Sequence, residues 1–360
     1  MIGSKNIISD SFCSACYFRS IAISPHKKAI IQLTEKCNLK CEHCFVSSTS
    51  QGNELSFEFI QKIILPHLIK NNVNKVTLTG GEPFVHKELL KIVDLLANNN
   101  MAISICTNAS LITEEFVCSI ERYPSLHFNV SLDGFSNCSH GRFRGNEDPI
   151  FFQKIINNII LLGNKKLLNG ILVTPNVYSN ISEYESICSF AKKNNARYVL
   201  MNPLSKFGRG EGSLDKALTK SEMRKLRLVT EKYCSDDFEV VYIRFPNGNK
   251  PLGDCVAGQI FYIFSDGDVA ICPYMVFAAK NQDSRYAPEE FILGNIFKDD
   301  FDLLKSLSIY SFPRESDDGI CIQCKHKKCS KGCMAAKISN GLHLSDADED
   351  LCPLISDKKE

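Results

Sequence analysis

The sequence has almost no excess of charge: 42 lysines and arginines face 41 aspartates and glutamates, for a formal net charge of +1 over 360 residues. That balance gives no general attraction to nucleic acid or to an anionic membrane, so neither is expected as a partner. No apolar run reaches the roughly 18–20 residues that a spanning helix needs. The N-terminal stretch MIGSKNIISDSF lacks the apolar core of a secretory signal, and the expected address is the cytoplasm. There is no internal repeat and no low-complexity segment. An apolar fraction of 44% and a charged fraction of 23% suit an ordinary soluble globular chain. Its length allows one large domain and a smaller one.

What the sequence has in excess is cysteine, 17 residues and an odd number. Without a secretory signal, clustered cysteines point to metal or redox chemistry before disulfides. Cys37, Cys41 and Cys44 lie early, inside EKCNLKCEHCF, and seven more crowd the last third. Cys106, Cys118, Cys138, Cys188 and Cys234 are scattered and are expected to be buried structural thiols. The early group lacks a local fourth cysteine. A structural zinc site is closed by four protein ligands, and iron–sulfur clusters also take four. Three ligands leave one position open, which is where a metal does chemistry.

From about residue 28 short β-rich runs alternate with helical periodicity. Strands are expected at 29–33, 75–79, 102–106, 127–131, 170–174 and 197–202. Helices are expected at 56–71, with Ser56 as cap and a kink at Pro66, then near 86–98, 113–122, 149–163, 181–194 and 219–233. Six strands in strand–helix alternation imply an α/β fold with a parallel sheet, open or curled into a partial barrel, whose working loops follow the strand ends. After about residue 235 the pattern changes. YIFSDGDVAIC reads as a β-hairpin turning at Asp266-Gly267-Asp268. The cysteine-dense loops beyond it are expected to depend on metal for their core.

The loops carry an ordered set. Cys37-x3-Cys41-x2-Cys44 follows the first strand, Gly80-Gly81-Glu82-Pro83 the second, Thr107-Asn108 the third, and Ser131-Leu132-Asp133-Gly134 the fourth. This set resembles the radical S-adenosylmethionine (SAM) superfamily over roughly residues 28–215. The resemblance implies a partial (β/α)6 TIM-like barrel over 28–234, after an N-terminal segment 1–27 that carries Cys13-x2-Cys16. It implies that Cys37, Cys41 and Cys44 hold three irons of a [4Fe–4S] cluster, leaving the fourth iron for SAM. It further implies that one-electron cleavage of SAM gives a 5′-deoxyadenosyl radical, which abstracts a substrate hydrogen. His43 stands where the family usually has an aromatic residue, and Ala109 follows Asn108 where many members have glycine. Gly80, Gly81, Glu82, Pro83, Asn108, Ser131 and Arg144 are the implied SAM contacts. Arg144 suits a carboxylate through paired charge-assisted bonds.

A second pattern comprises Cys255-x11-Gly267-x4-Cys272, Cys321-x2-Cys324-x4-Cys329-x3-Cys333 and Cys352. It resembles the SPASM extension of the same superfamily, with the gap between Cys324 and Cys329 one residue shorter than usual. Leu293-Gly294-Asn295-Ile296 fits the same pattern. A SPASM domain over 235–360 with two auxiliary [4Fe–4S] clusters is implied, three clusters in all. Cys321, Cys324, Cys329 and Cys352 would ligate the distal one, and Cys255, Cys272 and Cys333 the inner one. Phe261 stands where some members place a further inner ligand, so an open or exchangeable inner site is expected, unless Cys13, Cys16 or Cys234 closes it.

By the same resemblance the substrate is a ribosomal peptide or protein, modified by crosslinking or oxidation. A small-molecule substrate such as a tetrapyrrole or sugar is the alternative, and an electron carrier without SAM turnover is a third. Pro273 after Cys272 argues against sulfatase maturation, where an aspartate serves as base. The 36 residues before Cys37 are too few for a leader-binding domain, so a separate recognition protein or direct capture at the barrel edge is implied. Flavodoxin or ferredoxin is the implied electron donor. Tyr274 and Asp133 are candidate proton or electron partners, and Arg209, in Gly208-Arg209-Gly210, is a candidate contact for an acidic substrate group.

Overall fold

The computed structural model describes residues 26–246, 250–253, 255, 257–258, 260–309, 321, 324–325, 329–352 and 355. Cys13 and Cys16 lie outside the described residues. Among the described residues ten strands form one sheet in the order β10-β9-β8-β1-β2-β3-β4-β5-β6-β7. The parallel strands expected from the sequence are β1 (Lys27–Gln32), β2 (Val73–Thr79), β3 (Ala102–Thr107), β4 (Leu126–Ser131), β5 (Leu168–Val173) and β6 (Tyr198–Met201). Two more extend this run: β7 (Glu239–Tyr242) pairs in parallel with β6, and β8 (Ile260–Ile263) pairs in parallel with β1. The 234/235 boundary thus falls just ahead of a strand that hydrogen-bonds to the barrel.

Apart from register shifts at Lys27/Lys28 and Phe128/Asn129, the strands alternate with a period of two. Ile31, Leu78, Ile105, Val130, Ile171 and Val199 face the core shared with the surrounding helices. Their neighbours Lys28, Lys75, Ser104 and Asn129 face a central cavity instead. The connecting helices, including Leu89–Asn98, Glu114–Ile120, Pro149–Asn164 and Ile181–Lys193, cover the apolar face and place the loops at the carboxyl ends of the strands. Thr113, Asp148 and Asn180 cap three of them through side-chain oxygens.

The helix expected over 56–71 is interrupted. Phe57–Phe59 is α-helical, Ile60–Ile64 forms a π turn, and Leu65–Lys70 resumes the α-helix with Pro66 in its first turn. Proline has no N–H to donate, and its ring crowds the carbonyl four residues back. The wider π turn removes that clash.

The expected hairpin is present. β8 and β9 (Asp268–Ala270) pair antiparallel around Gly267, which has φ +88°. β10 (Ile292–Asn295) joins β9, and Ile296 N donates to Gly267 O at 2.8 Å, so LGNI closes the turn. Helices Pro273–Ala279 and Met334–Ser339 start directly after Cys272 and Cys333 and pack on each other.

Among the scattered cysteines only Cys188 fits the expectation of a buried thiol. Cys118, Cys138 and Cys234 are exposed, and Cys106 is half-buried on the cavity wall. On the helix Glu114–Ile120 the inward positions are Val117 and Ile120, which leaves Cys118 outside.

Candidate active site

The loop holding Cys37, Cys41 and Cys44 is tied to β1 and β2 by backbone. Cys37 N donates to Thr49 O at 2.6 Å, Gly81 N to Thr34 O at 2.7 Å, and Glu82 N to Lys36 O at 2.9 Å. A Cβ on Gly81 would sit 2.4 Å from Lys36 O. Gly81 is therefore small because the end of β2 lies against the chain that enters the cysteine loop. Burial pushes the Cys41 thiol up to about 12 and raises Cys37, and in each case Cys44 adds to the rise while Arg144 opposes it. All three cysteines line one cavity. Among the described residues no three of His, Cys, Asp or Glu are close enough to hold a single metal ion. Sulfurs that each bind a different iron of one cluster need not crowd as those around one zinc do.

Glu82 is 1% exposed and links two strand ends. Its Oε1 accepts from Thr107 Oγ1 at 2.7 Å and Phe84 N at 3.2 Å, and its Oε2 accepts from Asn108 N at 2.7 Å. Burial raises its pKa, and these hydrogen bonds oppose the rise. Asn108 Nδ2 donates to Asn38 Oδ1 at 3.0 Å, and Asn38 Nδ2 donates to Ser110 Oγ at 2.9 Å. Asn38 thus ties the cysteine loop to the end of β3, a role no spacing in the sequence signals. Ala109 has φ +63° and is fully buried, so the residue that replaces the family's glycine adopts the glycine-like conformation. The left-handed backbone costs an alanine about 1–2 kcal/mol, and its buried methyl recovers part of that. Ala109→Gly is expected to change stability by less than about 1 kcal/mol, read as an unmoved denaturation midpoint.

The SLDG segment and Arg144 form one unit. Arg144 Nε donates to Asp133 Oδ2 at 2.6 Å, and its Nη1 lies 4.0 Å from Cys41 Sγ. Asp133 is fully buried, and its Oδ1 accepts from Thr174 N at 2.7 Å. Burial works against its charge, but the Arg144 guanidinium and the hydrogen bond from Thr174 N hold the carboxyl below the ordinary carboxylate range. His140, pushed down to about 3 by burial, is neutral, and its Nδ1 accepts from Asp133 N at 3.1 Å. Asp133 does not line the cavity, whereas Ser131 and Arg144 do. The geometry gives Asp133 the work of orienting Arg144; as a proton or electron partner it has no face toward the cavity. His43 stacks on Phe143 with ring centroids 4.2 Å apart and planes 17° apart. Burial pushes it down to about 4, so it packs as a neutral aromatic ring.

Arg209 is placed differently from its expected role. Its Nε donates to Cys41 O and its Nη1 to Ser48 O, both at 2.7 Å, and its backbone N donates to Cys44 O at 3.0 Å. Gly208 has φ +52°, and a Cβ there would meet Cys44 O at 2.7 Å. The GRG run grips the cysteine loop and so does not offer its guanidinium to substrate. The same loop meets the C-terminal region, where Phe207 stacks on Tyr274 at 5.7 Å, Lys206 pairs with Asp283, and Asn281 donates to Lys206 O. Tyr274 also packs on Phe45, the residue after Cys44, at 5.4 Å.

In the C-terminal region Cys272 and Cys333 are buried in one apolar cluster, while Cys255, Cys321, Cys324, Cys329 and Cys352 are partly exposed. Cys329 Sγ accepts from Leu252 N at 3.3 Å, and Ser330 N donates to Leu252 O at 2.9 Å, which ties Leu252 to the Cys329 segment. Asp348 organises two more: its Oδ2 accepts from Cys333 N at 3.0 Å and its backbone oxygen from Cys352 N at 2.8 Å. Arg244 reaches Asp348 with both terminal nitrogens, at 2.8 and 3.1 Å. Phe261 packs in the main core. Cys234 accepts from Val240 N at 3.3 Å in the turn entering β7.

The cysteine loop, Glu82, Asn108, Arg144 and Arg209 line a cavity of about 1080 Å³ that extends to Tyr274 and to Ser235 and Phe238 ahead of β7. Small-molecule sites commonly occupy about 300–1,000 Å³, so there is room for a nucleoside cofactor and part of a substrate. Buried nitrogens on His43 (Nδ1) and Arg209 (Nη2) have no hydrogen-bond partner beside the three thiols. This donor set fits an iron–sulfur cluster held by three cysteines.

A partial barrel whose first loop presents three thiols to a nucleoside-sized cavity defines an enzyme that pairs an iron–sulfur cluster with a bound cofactor. Residues 31–189 match the Radical SAM superfamily. Residues 31–189 are thus a Radical SAM domain, of a superfamily whose members use SAM and a [4Fe–4S] cluster, and the chain is an enzyme with the SPASM-type cysteine pattern. It is 27% identical over 289 residues to the antilisterial bacteriocin subtilosin biosynthesis protein AlbA of Bacillus subtilis, a match covering 79% of the chain and 59% of AlbA. It is 26% identical over 330 residues to the mycofactocin maturase MftC of Mycolicibacterium smegmatis, covering 88% and 80% respectively. In fold it is similar to Streptococcus suis SuiB bound to S-adenosylmethionine, with a TM-score of 0.69 and 18% identity over 90% of the chain and 76% of SuiB. SuiB has also been solved with its precursor peptide SuiA. No helix among the described residues is long and apolar enough to cross a membrane.

Proposed function

We propose that the protein is a radical SAM/SPASM maturase that abstracts hydrogen from a ribosomal peptide or protein and installs a crosslink or an oxidation. The observation that carries this reading is the continuity of the cavity. It starts at the cysteine loop, takes in the candidate SAM contacts, and has Tyr274 of the C-terminal region on its wall. The peptide-related names of AlbA, MftC and SuiB support the choice of substrate class.

In this reading Cys37, Cys41 and Cys44 hold the first cluster. Gly80, Gly81, Glu82 and Pro83 shape the cradle, with one lone-pair site of the Glu82 carboxylate left for an ammonium group. Asn108 and Ser131 line it, and Arg144, aimed by Asp133, takes the carboxylate. Bound there, SAM and a reduced cluster supply a carbon radical able to remove hydrogen from an unactivated carbon. The chain's own residues orient the cofactor and exclude water. Tyr274, between Phe45 and Phe207, forms the wall that a substrate side chain would meet. Cys255, Cys272 and Cys333 are assigned to an inner auxiliary cluster, and Cys321, Cys324, Cys329 and Cys352 to a distal one. An external electron donor and a separate recognition protein complete the proposed system.

The test is coexpression with short reading frames flanking the gene, followed by mass spectrometry of each peptide. A mass change in one peptide, lost with Cys41→Ser, is expected. Unchanged peptides, together with turnover of a tetrapyrrole or sugar, would move the protein to the small-molecule class.

A further inference from the structure

We propose that Arg209 is the positioning residue of the cysteine loop, gripping the carbonyls of Cys41 and Ser48 and presenting Nη2 to the cluster that Cys37, Cys41 and Cys44 hold. This rests on the cluster-binding reading above and adds a residue to it.

Three attachments carry the first half. Nε, Nη1 and the backbone N of Arg209 donate to Cys41 O, Ser48 O and Cys44 O at 2.7, 2.7 and 3.0 Å. The acceptors run from the second cysteine to beyond the third, so one side chain fixes the span that carries two of the three ligands. Only a planar fork can reach two carbonyls at once in fixed directions; a lysine ammonium is a single point. Gly208 serves the same contact, because any side chain there would collide with Cys44 O and Phe45 O.

The second half rests on the remaining nitrogen. Nη2 is buried and has no hydrogen-bond partner, although Arg209 lines the cavity beside Cys41 and Cys44. A charged donor left unsatisfied in a buried position is costly, and such an atom calls for an acceptor. Two of the three nitrogens are already committed to the cysteine loop, so the acceptor belongs to what the loop binds. The sulfurs of an iron–sulfur cluster are anionic acceptors. Donors to them raise the reduction potential by stabilising the more negative reduced form.

The test uses the full-length protein with reconstituted clusters, as wild type, Arg209→Gln and Arg209→Lys. Iron content is measured, and the SAM-responsive cluster is titrated by electron paramagnetic resonance. Arg209→Gln is expected to disfavour reduction about tenfold, a potential lower by about 59 mV for one electron. Arg209→Lys, which keeps the charge but cannot hold both carbonyls, is expected to load less iron than wild type while the cluster that does form keeps a potential near the wild-type value. A full cluster with unaltered potential in Arg209→Gln overturns the proposal. So does equal loss of the cluster from both variants, which would make Arg209 a brace and nothing more. A wild-type protein with no SAM-responsive cluster would instead refute the cluster reading itself, so the two failures are distinguishable.

Discussion

Cys41→Ser is expected to abolish SAM cleavage and to remove the first cluster's iron while leaving the fold intact. Cys41 is the most constrained of the three thiols. It is buried, its sulfur lies 4.0 Å from Arg144 Nη1, and its carbonyl is held by Arg209. A serine oxygen is a poor match for iron that prefers thiolate. Loss of a supporting outer-shell partner typically costs about 10–100-fold in metal affinity or activity, and loss of a direct ligand should exceed that. The backbone bonds that shape the loop do not use the sulfur, so circular dichroism should be unchanged. Retention of wild-type iron and wild-type 5′-deoxyadenosine formation would contradict the ligand assignment.

The second large effect is structural. Asp348→Ala is expected to destabilise the protein by about 3 kcal/mol, the low end of the usual cost of breaking a buried ion pair, because Arg244 keeps only its half-exposed contact to Asp350 at 3.3 Å. Arg244 and Asp348 are both buried and joined by two hydrogen bonds, and Cys333 N donates to the same carboxylate. The loss would appear as a lower denaturant midpoint and as poor iron loading of the C-terminal region, because Asp348 touches the backbone of both Cys333 and Cys352. The double variant Arg244→Met/Asp348→Ala should recover part of the loss, since no charge is then stranded. The pH dependence follows with its sign. Burial opposes the Asp348 charge, but Arg244 outweighs it and holds the carboxyl below its ordinary value. Its stabilising contribution is therefore complete above the unfolded carboxylate pKa of about 3.9 and is lost as pH falls through the lower folded value. A wild-type midpoint that falls with acid below about pH 4, with a shallower fall in Asp348→Asn, is the expected pattern.

Much of the fold was legible because strand–helix alternation is a strong periodic signal. The six expected strands and the hairpin at Gly267 all appear. β7 (Glu239–Tyr242) was not expected, because the strand–helix alternation stops there and no helical periodicity follows it before Cys255. The structure brings the three cysteines and Gly80-Gly81-Glu82 to one cavity, as loops after parallel strands should be placed. What could not be read was which polar group faces which way. Asp133 and Arg209 both looked available to substrate, yet one is committed to Arg144 and the other to the carbonyls of the cysteine loop. Arg209 and Cys41 are 168 positions apart, and even for Asp133 and Arg144, 11 apart, spacing does not say which side chain faces the cavity. For the same reason no motif announces Arg244 and Asp348, which lie 104 positions apart. The scattered cysteines show the same limit, since a lone thiol carries no signal of which helix face it occupies.

The account depends on an iron that the polypeptide leaves open for SAM. The most direct measurement is the electron paramagnetic resonance spectrum of the reduced, fully reconstituted protein before and after SAM is added. A change in the signal of one cluster, present in the wild type and absent in Cys41→Ser, is predicted. A fully loaded, reduced protein whose spectrum is indifferent to SAM would contradict the account.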